Sequence, residues 1–127
     1  MNFKIAFTIL LTISAGGILA AAGSDWLNQV PPREQQKTNP FHDQPQAIQA
    51  GRLLFKDHCA QCHGDNAQGM NKRPSLRSGR LQSASQGSLH WLLVNGSVRR
   101  GMPSWSKLPD QQLWQLVAYL KSLKVEE

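Results

Sequence analysis

The chain predicts an all-α fold, and three observations carry that reading. Leu113, Leu116, Val117, Leu120 and Leu123 recur at the i, i+3, i+4, i+7 spacing of a single helical face. Earlier in the chain, Ile48, Gly51, Phe55 and Cys59 follow the same period, and Leu54 widens the stripe. After residue 23 no run of strand length alternates apolar and polar residues, so nothing asks for a sheet.

The first element is a targeting segment. Lys4 is the only charge before Asp25, and Ile5 to Ala22 is an 18-residue apolar run that ends on the small residues Ala20-Ala21-Ala22. A charged n-region, an apolar h-region and an A-x-A site make residues 1–22 an export signal. The run also just reaches bilayer-spanning length, so an uncleaved N-terminal anchor is the alternative. Thr8, Thr12, Ser14, Gly16 and Gly17 dilute its hydrophobicity. Either fate places the remainder in the periplasm, free or tethered to the membrane. Residues 23–44 are polar and proline-rich with no sustained apolar period, and they read as a loose linker in which Pro31-Pro32 and Pro40 favour extended conformers.

Residues 45–127 then form one small domain without an internal repeat. Its first helix is expected from Gln44 to His58, with Asp43 as N-cap, Gln46 at capping-box spacing and Pro45 in the first turn. Gly51 in mid-helix costs about 1 kcal/mol relative to alanine, which implies close approach of another helix. A shorter helix is expected over Ser88–Val94, with Ser88 as N-cap and Asn95-Gly96 as a left-handed stop. The last should run from Pro109 to about Lys124, with Asp110 near its positive end and Lys121 and Lys124 near its negative end.

Cys59-Ala60-Gln61-Cys62-His63 contains both cysteines of the chain and one of its four histidines. C-x-x-C-H is the attachment signature of c-type haem. Two thiols three positions apart on one helical turn can each add to a vinyl group along one porphyrin edge, and the histidine is then carried under the iron as proximal ligand. Other readings of this run are weaker. A thioredoxin-like C-x-x-C needs a βαβ context. Zinc would need a second ligand pair from His42, His58 and His90 alone. A short-loop disulfide is the third. Covalent haem also suits a small domain with a modest core, and the apo-chain should be poorly folded.

The second axial position separates electron transfer from small-molecule binding. Met102 is the leading candidate, because Gly101 permits a tight approach and Pro103 stiffens the loop. Thioether paired with imidazole raises the reduction potential. His90, on a predicted helix and read as partly exposed, and Met70, close behind His63, are the rivals.

The stretch from Gly51 through Phe55 to CAQCH, the Gly101-Met102-Pro103 loop and the LVAYL segment at Leu116 to Leu120 resemble a small class I cytochrome c over about residues 45–123. That resemblance implies a cytochrome c fold, three to five short helices wrapped around one covalently bound haem c, with the Gly51 helix crossing that of Leu116 and Tyr119. It also implies Met102 as distal ligand. Pro74, in Arg73-Pro74-Ser75-Leu76, matches the family's proline whose carbonyl accepts from the proximal imidazole, a bond that fixes the ring and raises ligand basicity. A plain turn proline is the alternative. Trp105 matches aromatics that pack against the haem or a propionate. One departure is Leu108-Pro109 where the family carries a serine or threonine N-cap, for which Ser106 is a substitute.

Fourteen basic against eight acidic residues give a net charge of +6. Lys72, Arg73, Arg77, Arg80, Arg99 and Arg100 fall in the two loops expected to flank the haem, and such a rim would steer the protein to an acidic patch on a redox partner. Alternatives are that Arg77 or Arg80 pairs with a propionate, or that the rim is only a solvated surface. No aromatic-interleaved basic stripe supports nucleic-acid binding. The function expected is therefore that of an exported, monomeric one-electron carrier rather than an enzyme. It would run between, for example, a quinol-oxidising complex or quinoprotein dehydrogenase and a terminal oxidase or reductase. The alternative is a haem-based gas sensor or peroxidase-like enzyme with an open axial position.

Overall fold

A computed structural model describes residues 25–126. The apolar run, and with it the choice between signal and anchor, lies outside the described residues. Six α-helical segments follow one another: α1 (Pro32–Gln35), α2 (Pro45–His58), α3 (Ala60–His63), α4 (Gly79–Ser83), α5 (Gln86–Asn95) and α6 (Asp110–Ser122), with 3-10 turns at Trp26–Gln29 and Val98–Arg100. Among the described residues there is no strand, only isolated bridges at Met70–Arg73 and Ser97–Met102.

The frame is the crossing of α2 over α6. A Cβ on Gly51 would lie 2.0 Å from the Gln115 carbonyl oxygen and 2.8 Å from Tyr119 Cβ, so only glycine lets the two backbones meet there. One turn on, the Phe55 ring sits 5.3 Å from that of Tyr119. Phe55, Leu89, Leu116 and Val117 are the largest fully buried side chains, each contributing about 1.5–3 kcal/mol by leaving water.

The helix starts differ from expectation for local reasons. Pro45 opens α2, and a residue before proline is pushed out of the helical region, so extended Gln44 takes the cap position with no side-chain bond. Asp43 is left-handed instead, at φ 57°, and its carboxylate lies 3.0 Å from His42 Nε2. The cap of α5 is Ser85, whose Oγ accepts from Ser88 N at 3.1 Å, while Ser88 is buried in the first turn. α5 stops at the expected place, but Gly96, at φ 69° and ψ −172°, takes an extended positive-φ conformation rather than the left-handed helical one. Pro109 precedes α6 without a side-chain cap, and Ser106 bonds to Ser104 rather than to the helix.

The segment read as a loose linker is folded from Asp25 onward. Val30 and Asn39 are buried, and Asn39 Nδ2 donates to Trp114 O in α6 at 2.9 Å. α1 lies on α5 at Gly87, where a Cβ would stand 1.9 Å from Glu34 O. Asp25 caps the first 3-10 turn and pairs with Arg80 of α4. Burial opposes its charge, but the Arg80 bond, the Leu27 amide and the charges of Arg80 and Arg100 outweigh it and hold the carboxyl below its usual range. The arm escaped a periodicity reading because only Trp26, Leu27, Val30 and Phe41 carry its packing, too few apolar residues in a polar, proline-broken stretch to register as a sustained stripe.

Candidate functional site

The CAQCH turn grows out of the end of α2. Cys59 N bonds to Phe55 O at 2.8 Å, and Cys62 N and His63 N bond back to Cys59 O at 3.1 and 2.9 Å. Both sulfurs and the imidazole thus ride on one turn anchored to the buried Phe55. Neither Cys59 nor Cys62 forms a disulfide. Cys59 is half-buried, and that burial, with the Cys62 thiol beside it, pushes its own thiol up to about 11; Cys62 is exposed.

Gly64, at φ 82°, turns the chain out of α3 into a loop pinned at the fully buried Ala67, whose carbonyl accepts from Leu76 N at 2.9 Å. This loop brings Pro74 O to 3.3 Å from His63 Nδ1. The contact occupies one ring nitrogen and leaves Nε2 as the atom able to ligate a metal. Burial lowers the His63 pKa, the charge of Arg73 adds to that, and the Pro74 bond opposes it.

The methionine loop is closed by its backbone. Ser97 and Met102 exchange both amide hydrogen bonds, at 2.9 and 3.1 Å, around the Val98–Arg100 turn, and left-handed Gly101 sits at φ 85°. The loop is also fastened to α5, since Trp105 N donates to Leu93 O at 2.8 Å and Ser104 Oγ donates to Val94 O at 2.5 Å. Met102 is half-buried and packs on the core. The Trp105 ring lies 5.3 Å from that of His58, one residue before Cys59.

Arg73 joins the two loops. Its Nη1 donates to Gly101 O at 3.4 Å, so the residue before Pro74 is tied to the residue before Met102. Nothing in the sequence marks this link, because its acceptor is a backbone carbonyl far along the chain.

Of the rivals, His90 and the two arginines are engaged elsewhere and Met70 is exposed. His90 is buried rather than partly exposed; its ring stacks on Trp114 at 4.0 Å and its Nε2 lies 2.7 Å from Asp110 Oδ1. Met70 is 44% exposed. Arg77 bonds to Asn66 O at 2.5 Å and pairs with Glu126 at 3.3 Å, and Arg80 is taken by Asp25. Among the described residues no group of three or more His, Cys, Asp and Glu side chains could hold a metal ion, which removes support for the zinc reading. The lack of strands among the described residues does the same for a thioredoxin-like site.

Residues 46–120 match the family described as cytochrome C oxidase, cbb3-type, subunit III. The chain belongs to that family of c-type cytochromes. It is a monohaem class I cytochrome whose cofactor is covalently attached haem c. The cytochrome is 29% identical over 116 residues to Cytochrome c550 of Pseudomonas aeruginosa, covering 86% of this chain and 74% of that protein. It is 33% identical over 86 residues to the cbb3-type cytochrome c oxidase subunit CcoP of Azospirillum brasilense, covering 61% of this chain but only 28% of the subunit. Among solved structures, cytochrome CL from the marine methylotroph Methylophaga aminisulfidivorans aligns with a TM-score of 0.56 and 26% identity, over 65% of this chain and 59% of that one.

The residues present fit the cofactor. Two unpaired thiols stand at the attachment spacing, and the imidazole has one nitrogen held by a carbonyl. A half-buried thioether completes a soft donor set of the kind haem iron accepts.

Proposed function

We propose that this cytochrome is an exported one-electron carrier in which Cys59 and Cys62 form the thioethers, His63 is the proximal ligand and Met102 the distal one. The observation that carries the reading is the build of the Met102 loop. Backbone bonds to Ser97 close it, Trp105 and Ser104 fasten it to α5, and Arg73 ties it to the loop that orients His63. Such a loop supplies a standing ligand, not a gap for substrate. The haem, when bound, supplies a reversible one-electron change at iron. The chain's own residues would hold it: Cys59 and Cys62 would bond it, Pro74 O fixes the His63 ring, the sulfur of Met102 would be the second protein ligand, and the buried Phe55 anchors the attachment turn.

Its partners are protein redox partners reached through the periplasm. The exposed Lys72, beside Arg73 and the Pro74 loop, favours a partner with an acidic docking patch. The kinship with subunits of cbb3-type oxidase supports a respiratory partner. The protein acts as a monomer and performs no catalysis of its own.

Met102→Ala tests the reading. It should open the sixth position, lower the potential and let carbon monoxide bind the ferrous form rapidly, whereas Met70→Ala and His90→Ala should do neither. An unchanged spectrum and potential in Met102→Ala would refute the ligand assignment. Rapid carbon monoxide binding by the wild type would favour the gas-sensor or peroxidase alternative. Acid–acetone extraction after denaturation should leave the haem on the peptide.

A further inference from the structure

One surface cleft, of about 460 Å³, runs along the outside of the Met102 loop and is lined by none of the residues that would bond the haem. It is lined by Trp26 and Gln29 of the arm, Trp91 of α5, and Val98, Arg99 and Arg100 of the turn before Met102. The two tryptophans are half-buried, and the turn is exposed, with Val98 at 72%. An isolated exposed valine is ordinary. Here it lines one cleft with two indoles and two guanidinium groups, and that composition has a physical preference. Indole rings settle at the level of lipid headgroups, arginine heads bond phosphate while their stems lie on apolar surface, and an aliphatic tip inserts shallowly.

A second observation is where the chain enters the folded body. Asp25, the first described residue, is pinned to Arg80 and lies within the field of Arg100. The apolar run ends at Ala22, three peptide steps earlier, which at full extension is at most about 11 Å. The arm therefore leaves the body from the side that carries the cleft. A membrane that held that run would lie within this reach of Asp25, next to the cleft's Trp26.

We propose that the Trp26, Trp91, Val98, Arg99 and Arg100 face docks on an anionic lipid surface. The charge selects the lipid: Arg99 and Arg100 favour a bilayer rich in acidic headgroups. Docking of this kind turns the loop that begins at Gly101-Met102 toward the membrane and restricts the carrier to partners held there. The proposal does not depend on whether Met102 ligates iron.

Hydrogen exchange of the holoprotein, as recovered from an exporting host, tests it against phosphatidylglycerol vesicles, phosphatidylcholine vesicles and polyglutamate. Phosphatidylglycerol should slow exchange several-fold in peptides covering Trp26–Gln29 and Gly96–Arg100, and leave the outer face of α2 around Leu53 unchanged. Val98→Asp should abolish the slowing and Arg99→Gln should weaken it. Equal exchange with and without phosphatidylglycerol overturns the proposal. So does slowing by polyglutamate but by neither vesicle, which would assign the face to an acidic protein. Failure of the carrier reading would show in carbon monoxide binding and leave these exchange rates where they are.

Discussion

Gly51→Ala sets two known effects against each other. Alanine gains about 1 kcal/mol of helix propensity over glycine. Against that, its Cβ would stand 2.0 Å from the Gln115 carbonyl oxygen, 2.7 Å from its carbon and 2.8 Å from Tyr119 Cβ. Ordinary carbon–oxygen contact is near ~3.3 Å, so α2 and α6 must part by roughly 1.3 Å along the crossing. The nearest atoms are backbone, and no rotamer change can clear them. Overpacking of this severity belongs at the upper end of the measured range, about 3 kcal/mol. The net is a loss of about 2 kcal/mol, and for a domain of this size roughly 8–16 °C in Tm. Thermal unfolding of the holoprotein, followed by circular dichroism and by haem absorbance, reads it. Gln49→Ala, an exposed position one turn-half away, should stay within ~0.5 kcal/mol of wild type. A Gly51→Ala variant as stable as wild type would show that propensity wins and that the crossing is not the frame of the fold.

Gly87→Ala should lift α1 off α5 by the same logic, its Cβ being 1.9 Å from Glu34 O; faster hydrogen exchange over residues 25–39 with an unchanged haem spectrum is the expected result. Arg73→Ala removes the tie between the two loops; a bond worth about 1 kcal/mol predicts roughly fivefold faster carbon monoxide binding to the ferrous form, and an unchanged rate would show the tie to be idle. The Glu34 carboxyl is held below its usual range, chiefly by its bond to Lys37. Its folded pKa being depressed, the stability it adds is present above the ordinary value of 4.5 and is lost as pH falls through the lowered one; Lys37→Met should remove that part of the acid sensitivity of residues 32–39, read by exchange.

How much of this was legible in the sequence depends on whether a feature is local. The faces of α2 and α6 were, because periodicity reports burial directly. Gly51 was as well, since a mid-helix glycine asks for a reason and the crossing supplies it. The CAQCH turn and the approach of Pro74 to His63 followed from spacing and family likeness. Caps were misread where two neighbours compete for one role: Pro45 moves the cap from Asp43 to Gln44, and Ser85 takes it from Ser88. The arm was missed because a few apolar residues scattered among prolines and polar side chains bury it, too few to make a sustained stripe. His90 was missed because what buries it, the Trp114 ring and the Asp110 carboxylate, is contributed by another helix.

The two sides of the site are held by unlike means, and this has a consequence for the carrier. On the side of His63, the attachment turn itself leads back to the crossing of α2 and α6: it hangs from Phe55 O, and Phe55 is 1% exposed against Tyr119. Moving the imidazole means disturbing the best-packed contact in the molecule. Met102 stands in an exposed loop held by a pair of backbone bonds, two anchors to α5 and one guanidinium at the surface. Local opening takes the route with the fewest buried contacts. With the ligation proposed above, the sulfur should therefore be the first ligand lost under heat, denaturant or a competing ligand, while the imidazole and the attachment turn stay in place. A carrier built in this way keeps its cofactor through every such opening and recovers its closed state when the loop returns.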